Sequence, residues 1–152
     1  MFNVLLDHLP QEWNGYPIDT DFQTGILINQ CLGDATLSER ERFYTAAGLL
    51  FTENWPETNK EVADAINWYM TEYNHDNKVE GDKPDIMVMD WDIDQWRIYA
   101  AFRQQYQIDL NKEEMHWFVF MGLLSNLEEC AFTHVMGIRQ RKISPKMSPE
   151  AK

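Results

Sequence analysis

Three shortages limit what this chain can be: it has few cysteines, few basic residues over most of its length, and no long apolar run. The two cysteines, Cys31 and Cys130, each fall on an apolar helix face, which is typical of small buried thiols and not of a disulfide framework. No stretch approaches the roughly 20 consecutive apolar residues that cross a bilayer. The N-terminus lacks the basic start and apolar core of a signal peptide. The sequence therefore predicts no membrane contact and a cytoplasmic location.

The shortage of basic residues is uneven along the chain. The formal net charge is -12, from 13 Lys and Arg against 25 Asp and Glu. Residues 139–152 hold five of the basic residues and one of the acids, which leaves 8 basic and 24 acidic residues in 1–138. Such an acidic body repels phosphate backbones and argues against a nucleic-acid ligand. The excess of acid fits either a solubilising surface or a partner with basic segments, and charge alone leaves both open.

Aromatic residues, in contrast, are plentiful, with six Trp, eight Phe and six Tyr in 152 residues. Each buried aromatic side chain removes roughly 150–250 Å² from water, so one domain of this length has ample apolar surface for a core. We predict a mainly α fold: a compact bundle of about five to six helices with a short N-terminal β-hairpin at about 10–18. The single helical domain is expected to span residues 1–144.

Local patterns place the first elements. The dipeptide Asn14-Gly15 is the strongest short signal for a tight hairpin turn, and Pro17 limits the following arm to a short edge strand. Ser38 and Thr58 each stand three residues before a Glu, which is the capping-box pattern at the start of a helix. These signals predict one hairpin and at least two capped helices in the first half of the chain.

The second half begins with a polar, acidic segment at 74–91, which we predict to be a mobile loop. Asp90 or Asp92 is then expected to cap the next helix. Asn111 with Glu114 is expected to open a very apolar helix that lies at the centre of the bundle. The tail at 145–152 is predicted to be disordered.

The acidic residues at the end of this predicted loop resemble the first ligands of a calcium-binding loop, but the rest of the calcium-binding pattern is missing. Asp90, Asp92 and Asp94 have the right spacing, whereas Gln95 stands where the sharp turn needs glycine and Ala101 stands where a bidentate Glu belongs. No phosphate loop, nucleophile elbow or zinc pattern occurs elsewhere. The sequence therefore predicts no catalytic residues, no cofactor and no metal site.

One pair of charges stands out on apolar faces. Asp94 lies on the apolar stripe of its predicted helix, and Arg139 lies among apolar neighbours on the last helix. Lone charges on buried faces are costly unless they are paired. We therefore hypothesise a structural ion pair between Asp94 and Arg139. The alternative is that Asp94 faces solvent in the first helical turn and that Arg139 extends its charge to the surface.

A longer pattern surrounds Asp94. Its residues are Asp94-x-x-Arg97-Ile98-x-x-x-Phe102-x-x-x-Tyr106-x-Ile108-Asp109-Leu110, then His116-Trp117-x-x-Phe120 and the closing Ile138-Arg139. This pattern resembles the bacteriophage gene-product-fifteen family, found in tails of phages and prophages of Gram-positive bacteria, and the resemblance extends over about 14–139. The sequence departs from the family at Gln107, where we expect glycine, and at Phe118, where a second Trp often stands.

The resemblance implies a protein of tail morphogenesis, most simply a chaperone that binds the tape-measure protein in the host bacterial cytoplasm during assembly. The alternatives are a structural tail component retained in the virion, or a small enzyme or host-directed inhibitor. The aromatic motif residues are interpreted as core. The residues predicted to contact a protein partner are Glu80, Asp82, Asp85, Arg139, Arg141, Lys142 and Lys146. The oligomeric state is left open.

Overall fold

The computed structural model describes residues 1–73 and 89–143, except for the side chains of residues 142 and 143. Within these residues the chain is mainly helical, as predicted, with six α-helices and one two-stranded antiparallel hairpin. The helices are α1 (Phe22–Leu32), α2 (Glu39–Leu50), α3 (Asn59–Thr71), α4 (Gln95–Tyr106), α5 (Trp117–Ser125) and α6 (Ala131–Ile143). The predicted tail and most of the predicted acidic loop lie outside the described residues.

The N-terminal hairpin lies inside the predicted range. Its strands are β1 (Glu12–Trp13) and β2 (Tyr16–Pro17), with Trp13 opposite Tyr16. Asn14 has φ 47° and Gly15 has φ 84°. A two-residue turn that matches strand twist needs both central residues at positive φ, which is why Asn-Gly is favoured there.

The predicted caps of α2 and α3 are present. The Ser38 hydroxyl accepts a hydrogen bond from the Glu41 amide at 3.1 Å, and the Ser38 amide donates to the Glu41 carboxylate at 3.0 Å. The Thr58 hydroxyl accepts from the Glu61 amide at 3.3 Å at the start of α3. Both caps satisfy amides that would lack a partner in the first helical turn.

The predicted cap of α4 is wrong. The helix begins at Gln95 with Asp94 at the N-cap position, and neither Asp90 nor Asp92 caps it. Instead the Asp90 carboxylate accepts hydrogen bonds from the amides of Asp92 and Ile93, at 3.0 and 2.9 Å. Asp side chains readily form such local turns, so the acid closes the turn before the helix.

The predicted start of the apolar helix is also wrong. Asn111 and Glu114 do not open it, because α5 begins only at Trp117. The carbonyl of Asp109 accepts from the amides three and four residues later, both at 3.0 Å, which makes a single turn that does not continue. Sequence spacing alone could not distinguish this isolated turn from the start of a helix.

The chain comprises two compact units. Unit 1 comprises Met1–Lys78 with Glu114–Leu123, and unit 2 comprises Val79–Glu113 with Leu124–Lys152. In unit 1, α1 packs against α2 and α2 packs against α3. In unit 2, α4 packs against α6.

Each unit has its own buried side chains. Those of unit 1 include Phe22, Ile28, Ala47, Leu50, Ile66, Tyr69, Trp117 and Phe120. Those of unit 2 include Trp91, Ile98, Ala101, Phe102 and Phe132. Cys31 is buried and Cys130 is half-buried, and both are free thiols. In the described part of the chain, no helix has the length and apolar character to cross a membrane.

Candidate partner-binding surface

Asp94 is completely buried in unit 2 and is surrounded by hydrogen-bond donors. Arg139 on α6 donates from Nη2 to Oδ1 at 2.9 Å and from Nη1 to Oδ2, which makes a bidentate ion pair. Arg97, one turn into α4, donates to Oδ1 at 3.0 Å, and the Asp90 amide donates to Oδ2 at 3.0 Å. The ion pair hypothesised from the sequence is thus present, with two further donors that the sequence did not reveal.

These donors determine the ionisation of Asp94. Burial raises the pKa of its carboxyl, but the hydrogen bonds from Arg139, the Asp90 amide and Arg97 outweigh burial, and the pKa is lowered. The pKa of Arg139 is raised, mainly by its hydrogen bonds to Asp94. Four hydrogen bonds occupy the lone-pair directions of the carboxylate, so Asp94 is built to orient α4 and α6 and not to bind a cation.

Of the seven residues predicted to contact a partner, the structure describes the side chains of Arg139 and Arg141. Arg139 is 29% exposed and its guanidinium is committed to Asp94, so it acts inside unit 2. Arg141 is exposed, and its Nε donates to the Gly137 carbonyl at 3.3 Å. Lys142 belongs to α6, but its side chain lies outside the described residues, as do Glu80, Asp82, Asp85 and Lys146 entirely.

The His-Trp half of the sequence pattern lies in unit 1. His116 Nδ1 accepts a hydrogen bond from the Phe118 amide at 3.0 Å, and Nε2 lies 2.8 Å from the Pro10 carbonyl. Because a carbonyl only accepts, Nε2 carries the proton and the ring is neutral. Burial lowers the pKa of His116, which favours that same neutral form. His116 therefore caps α5 and ties it to the N-terminal segment.

Trp117 fills the centre of unit 1. It is fully buried, and its indole N–H donates to the Tyr69 carbonyl at 3.1 Å. Its ring is nearly parallel to that of Tyr69, at 6.1 Å, and is stacked with Phe120 at 6.0 Å. On another side, a Cβ built on Gly25 would lie 2.1 Å from the indole carbons. These aromatic residues form core, as the sequence was interpreted, and do not form a contact surface.

Two groups of exposed apolar side chains were missed by the sequence reasoning. In unit 1, Val4, Leu5 and Leu6 are 64, 88 and 82% exposed. In unit 2, Ile93 and Trp96 are 66 and 72% exposed. A signal for the second group was present, because Trp96 stands opposite the apolar stripe of α4 and no core position explains it.

The first group is held in a hydrogen-bonded turn. The Asn3 carbonyl accepts from the amides of Leu6 at 3.0 Å and Asp7 at 2.8 Å. In return the Asp7 carboxylate accepts from the Asn3 amide at 2.8 Å. Phe2 anchors the turn, since its amide donates to the Glu72 carboxylate at 3.0 Å and its ring lies 5.4 Å from that of Phe118. The chain therefore holds three aliphatic side chains in water in a defined conformation.

A polar groove of about 460 Å³ lies in unit 2. Its lining residues are Gln104, Gln105, Tyr106, Asn126, Glu128 and Glu129. The side chain of Gln105 donates to the Glu128 carbonyl at 3.1 Å and accepts from the Glu128 amide at 2.7 Å. This reciprocal pair joins α4 to the segment before α6, so the groove wall has a structural role.

The comparison with protein families agrees with the sequence pattern. The model of the bacteriophage Gp15 protein family matches residues 5–152, nearly the whole chain. The chain belongs to the bacteriophage Gp15 family. The resemblance predicted from the sequence is confirmed. Searches of curated proteins and of solved structures gave no significant match.

The two departures of this Gp15 protein from the expected pattern have clear positions in the structure. Gln107, where glycine is expected, ends α4 in the left-handed conformation with φ 56° and ψ 33°. That conformation favours glycine, because a Cβ is crowded there. Phe118, where a Trp often stands, is buried and packs against Phe2 and Trp68, each at 5.4 Å.

Proposed function

We propose that this Gp15 protein is a tail-assembly chaperone that binds the tape-measure protein in the host cytoplasm during tail morphogenesis. Family membership supports a bacteriophage protein. A tape measure is a long amphipathic helical chain whose apolar stripes aggregate when they are left uncovered. A protein that covers those stripes until the tail tube forms must offer apolar contacts and remain well solvated itself.

The exposed aliphatic turn at the N-terminus is the observation that carries this proposal. Leu5 and Leu6 are each more than 80% exposed, next to Val4 in a turn closed by hydrogen bonds. Ordering apolar side chains in water has no stabilising effect on the free chain. It does lower the entropy lost when a partner covers them. The turn therefore suits an apolar stripe on a partner helix.

The charge of the chain complements this turn. Residues 1–138 carry 24 acids against 8 basic residues. A large charge of one sign keeps a complex apart from other complexes, so aggregation is suppressed. It also attracts partner segments that carry Lys and Arg beside their apolar stripe. Apolar contact and charge thus favour the same class of partner.

Co-expression with the tape-measure gene from the same phage tests the proposal. We expect the soluble fraction of the tape measure to rise several-fold and the two proteins to co-purify. The double variant Leu5→Ser/Leu6→Ser should lose most of this effect. The matched control is Leu27→Ser, which changes a half-exposed leucine on α1. An unchanged soluble fraction with the wild type, and no co-purification, would refute the chaperone.

Mass spectrometry of purified virions separates the chaperone from a structural tail component. A chaperone leaves when the tail tube closes, so the mature particle should lack it. Detection in stoichiometric amounts would replace the chaperone with a tail protein retained in the virion.

A further inference from the structure

Helix α4 has two faces of opposite character. One face carries Asp94, Ile98 and Phe102, which are all buried in unit 2. The other carries Trp96, which is 72% exposed, and the preceding turn carries Ile93, which is 66% exposed. A helix that packs by one face ordinarily carries polar residues on the other. An outward-facing Trp with an Ile one turn before it is therefore unexplained by the fold of unit 2.

The ring of Trp96 is already held in place. It lies edge-to-face with Tyr99, with ring centroids 5.7 Å apart and an interplanar angle of 82°. The Asp109 carboxylate near the Tyr99 hydroxyl raises the pKa of Tyr99. A pre-ordered side chain loses less entropy on binding. Trp and Tyr are also the residue types that most often dominate the energy of an interface.

Acidic side chains lie on both sides of these rings, with Asp109 near Tyr99 and two acids before α4. Asp90 and Asp92 are exposed in the turn before α4. Arg103 is exposed nearer the C-terminal end of α4. It lowers the pKa of Tyr99, but Asp109 raises that pKa by more. Arg97 is paired with Asp94. A partner with cations at the Asp92 end would meet opposite charge there.

We propose that Ile93, Trp96 and Tyr99, here called the α4 aromatic face, form a docking surface for an amphipathic helix with basic residues beside its apolar stripe. The apolar stripe covers the rings, and a Lys or Arg of the partner lies between Asp92 and the indole of Trp96. A cation over an indole ring is the strongest of the aromatic–cation contacts. The identification of that helix with a tape-measure segment rests on the proposed function; the surface itself does not.

Two synthetic peptides of about 18 residues, five helical turns long, provide the probe. Both carry the same leucine stripe, and their polar positions are all Lys in one and all Glu in the other. Binding is measured by fluorescence anisotropy of labelled peptide at physiological ionic strength, where exposed charges more than ~8 Å apart are screened. We expect the full chain to bind the Lys peptide and not the Glu peptide.

Variants then locate the contact. Trp96→Ala should raise the Kd for the Lys peptide about tenfold or more, and Asp92→Asn should raise it about twofold to fivefold. The matched controls are Trp55→Ala and Glu53→Gln, which alter an exposed Trp and an exposed acid of unit 1. Both controls should leave the Kd unchanged. Circular dichroism and Tm should show that Trp96→Ala folds normally, because its side chain is exposed.

Several results would overturn the proposal. The first is that the Lys peptide does not bind. The second is that the Glu peptide binds as tightly as the Lys peptide. The third is that Trp96→Ala binds the Lys peptide with the same Kd as wild type. A dimer that is lost in Trp96→Ala would assign the face to a second copy of this chain and would also overturn it.

The same variants separate this inference from the proposed function. If Trp96→Ala keeps the tape measure as soluble as wild type does, the tape measure docks elsewhere while the chaperone stands. If wild type fails to solubilise the tape measure but binds the Lys peptide through Trp96, the surface stands and the chaperone fails.

Discussion

Gly25 lies directly against the indole of Trp117, although the two residues belong to different helices. A Cβ added at Gly25 would approach two ring carbons to 2.1 Å. The approach is set by paired backbones just before the two helices. The Phe22 amide donates to the Met115 carbonyl at 2.9 Å, and the Trp117 amide donates to the Thr20 carbonyl at 2.6 Å. The starts of α1 and α5 are therefore held side by side, and only glycine leaves room for the indole.

Gly25→Ala should destabilise the protein by roughly 1–3 kcal/mol, because the ring or the helix must move to admit the methyl group. The control is Gly48→Ala in α2, where the added Cβ would meet its nearest neighbour at 3.9 Å, an ordinary contact. It should stabilise the protein by up to about 1 kcal/mol through helix propensity. Urea unfolding measures both, and a stabilised Gly25→Ala would contradict the close packing.

Removing Arg139 should affect stability more than removing Arg97. Arg139→Gln leaves the buried Asp94 carboxylate without its bidentate partner, and we expect a loss of about 2–4 kcal/mol, below the full value for a buried pair because Arg139 is 29% exposed. Arg97→Gln should lose no more than about 1 kcal/mol, since Arg97 is 39% exposed. If the two variants lose the same free energy of unfolding in denaturant, Arg97 neutralises the Asp94 carboxylate as much as Arg139 does.

The same cluster predicts a pH dependence. The pKa of Asp94 is lower in the folded chain than its ordinary value of 3.8. The carboxylate therefore stabilises the fold above about pH 4, and this contribution is lost as the pH falls through the lowered pKa. Asp94→Asn should be less stable at neutral pH, and the difference from wild type should shrink in acid. Unfolding free energies measured at a series of pH values test this, and a constant difference would refute it.

His116 should act in a higher pH window. Its pKa is lowered from 6.5 by burial, so the neutral ring is favoured in the folded chain. Its contribution is complete above pH 6.5 and falls as the pH drops through the folded pKa, because protonated Nδ1 cannot accept from the Phe118 amide. His116→Asn keeps a capping acceptor but does not titrate. Its stability should change less than that of wild type between about pH 5 and 7; identical profiles would exclude His116 as the cause.

Gln107→Gly should stabilise the protein by about 0.5–1 kcal/mol, because Gln107 has the left-handed conformation in which a Cβ is strained. Gln104→Gly is the matched control, one turn earlier inside α4 and exposed. It should destabilise by about 1 kcal/mol, since glycine weakens a helix interior. Thermal or urea unfolding should therefore give stability changes of opposite sign for the two variants. Changes of the same sign would contradict the left-handed conformation of Gln107.

Short-range patterns proved dependable where the chain satisfies its own backbone. The Asn14-Gly15 turn and the Ser38 cap follow from residues no more than three positions apart, and both are present. The helix starts predicted at Asp90 and Asn111 are wrong, because residues of these types also close isolated turns that do not continue as helices. Whether such a turn continues as a helix depends on what the following residues pack against.

The cluster around Asp94 could be predicted only in part. Two charges on apolar stripes indicated that Asp94 and Arg139 need partners, and the structure pairs them. The pattern could not show that Arg97 and the Asp90 amide complete the cluster. Periodicity reveals that a face is buried, whereas side-chain direction reveals which groups reach the carboxylate.

The helical class, the hairpin, the family and the need of Asp94 for a charged partner could be predicted, because each depends on local spacing or on composition. The contact of Trp117 with Gly25 and the capping of α5 by His116 depend on how distant segments pack. The same packing leaves Leu5, Leu6 and Trp96 exposed to water. Hydrophobicity shows that a side chain gains by burial, but the packing of distant segments determines which apolar side chains are covered and which remain available to a partner.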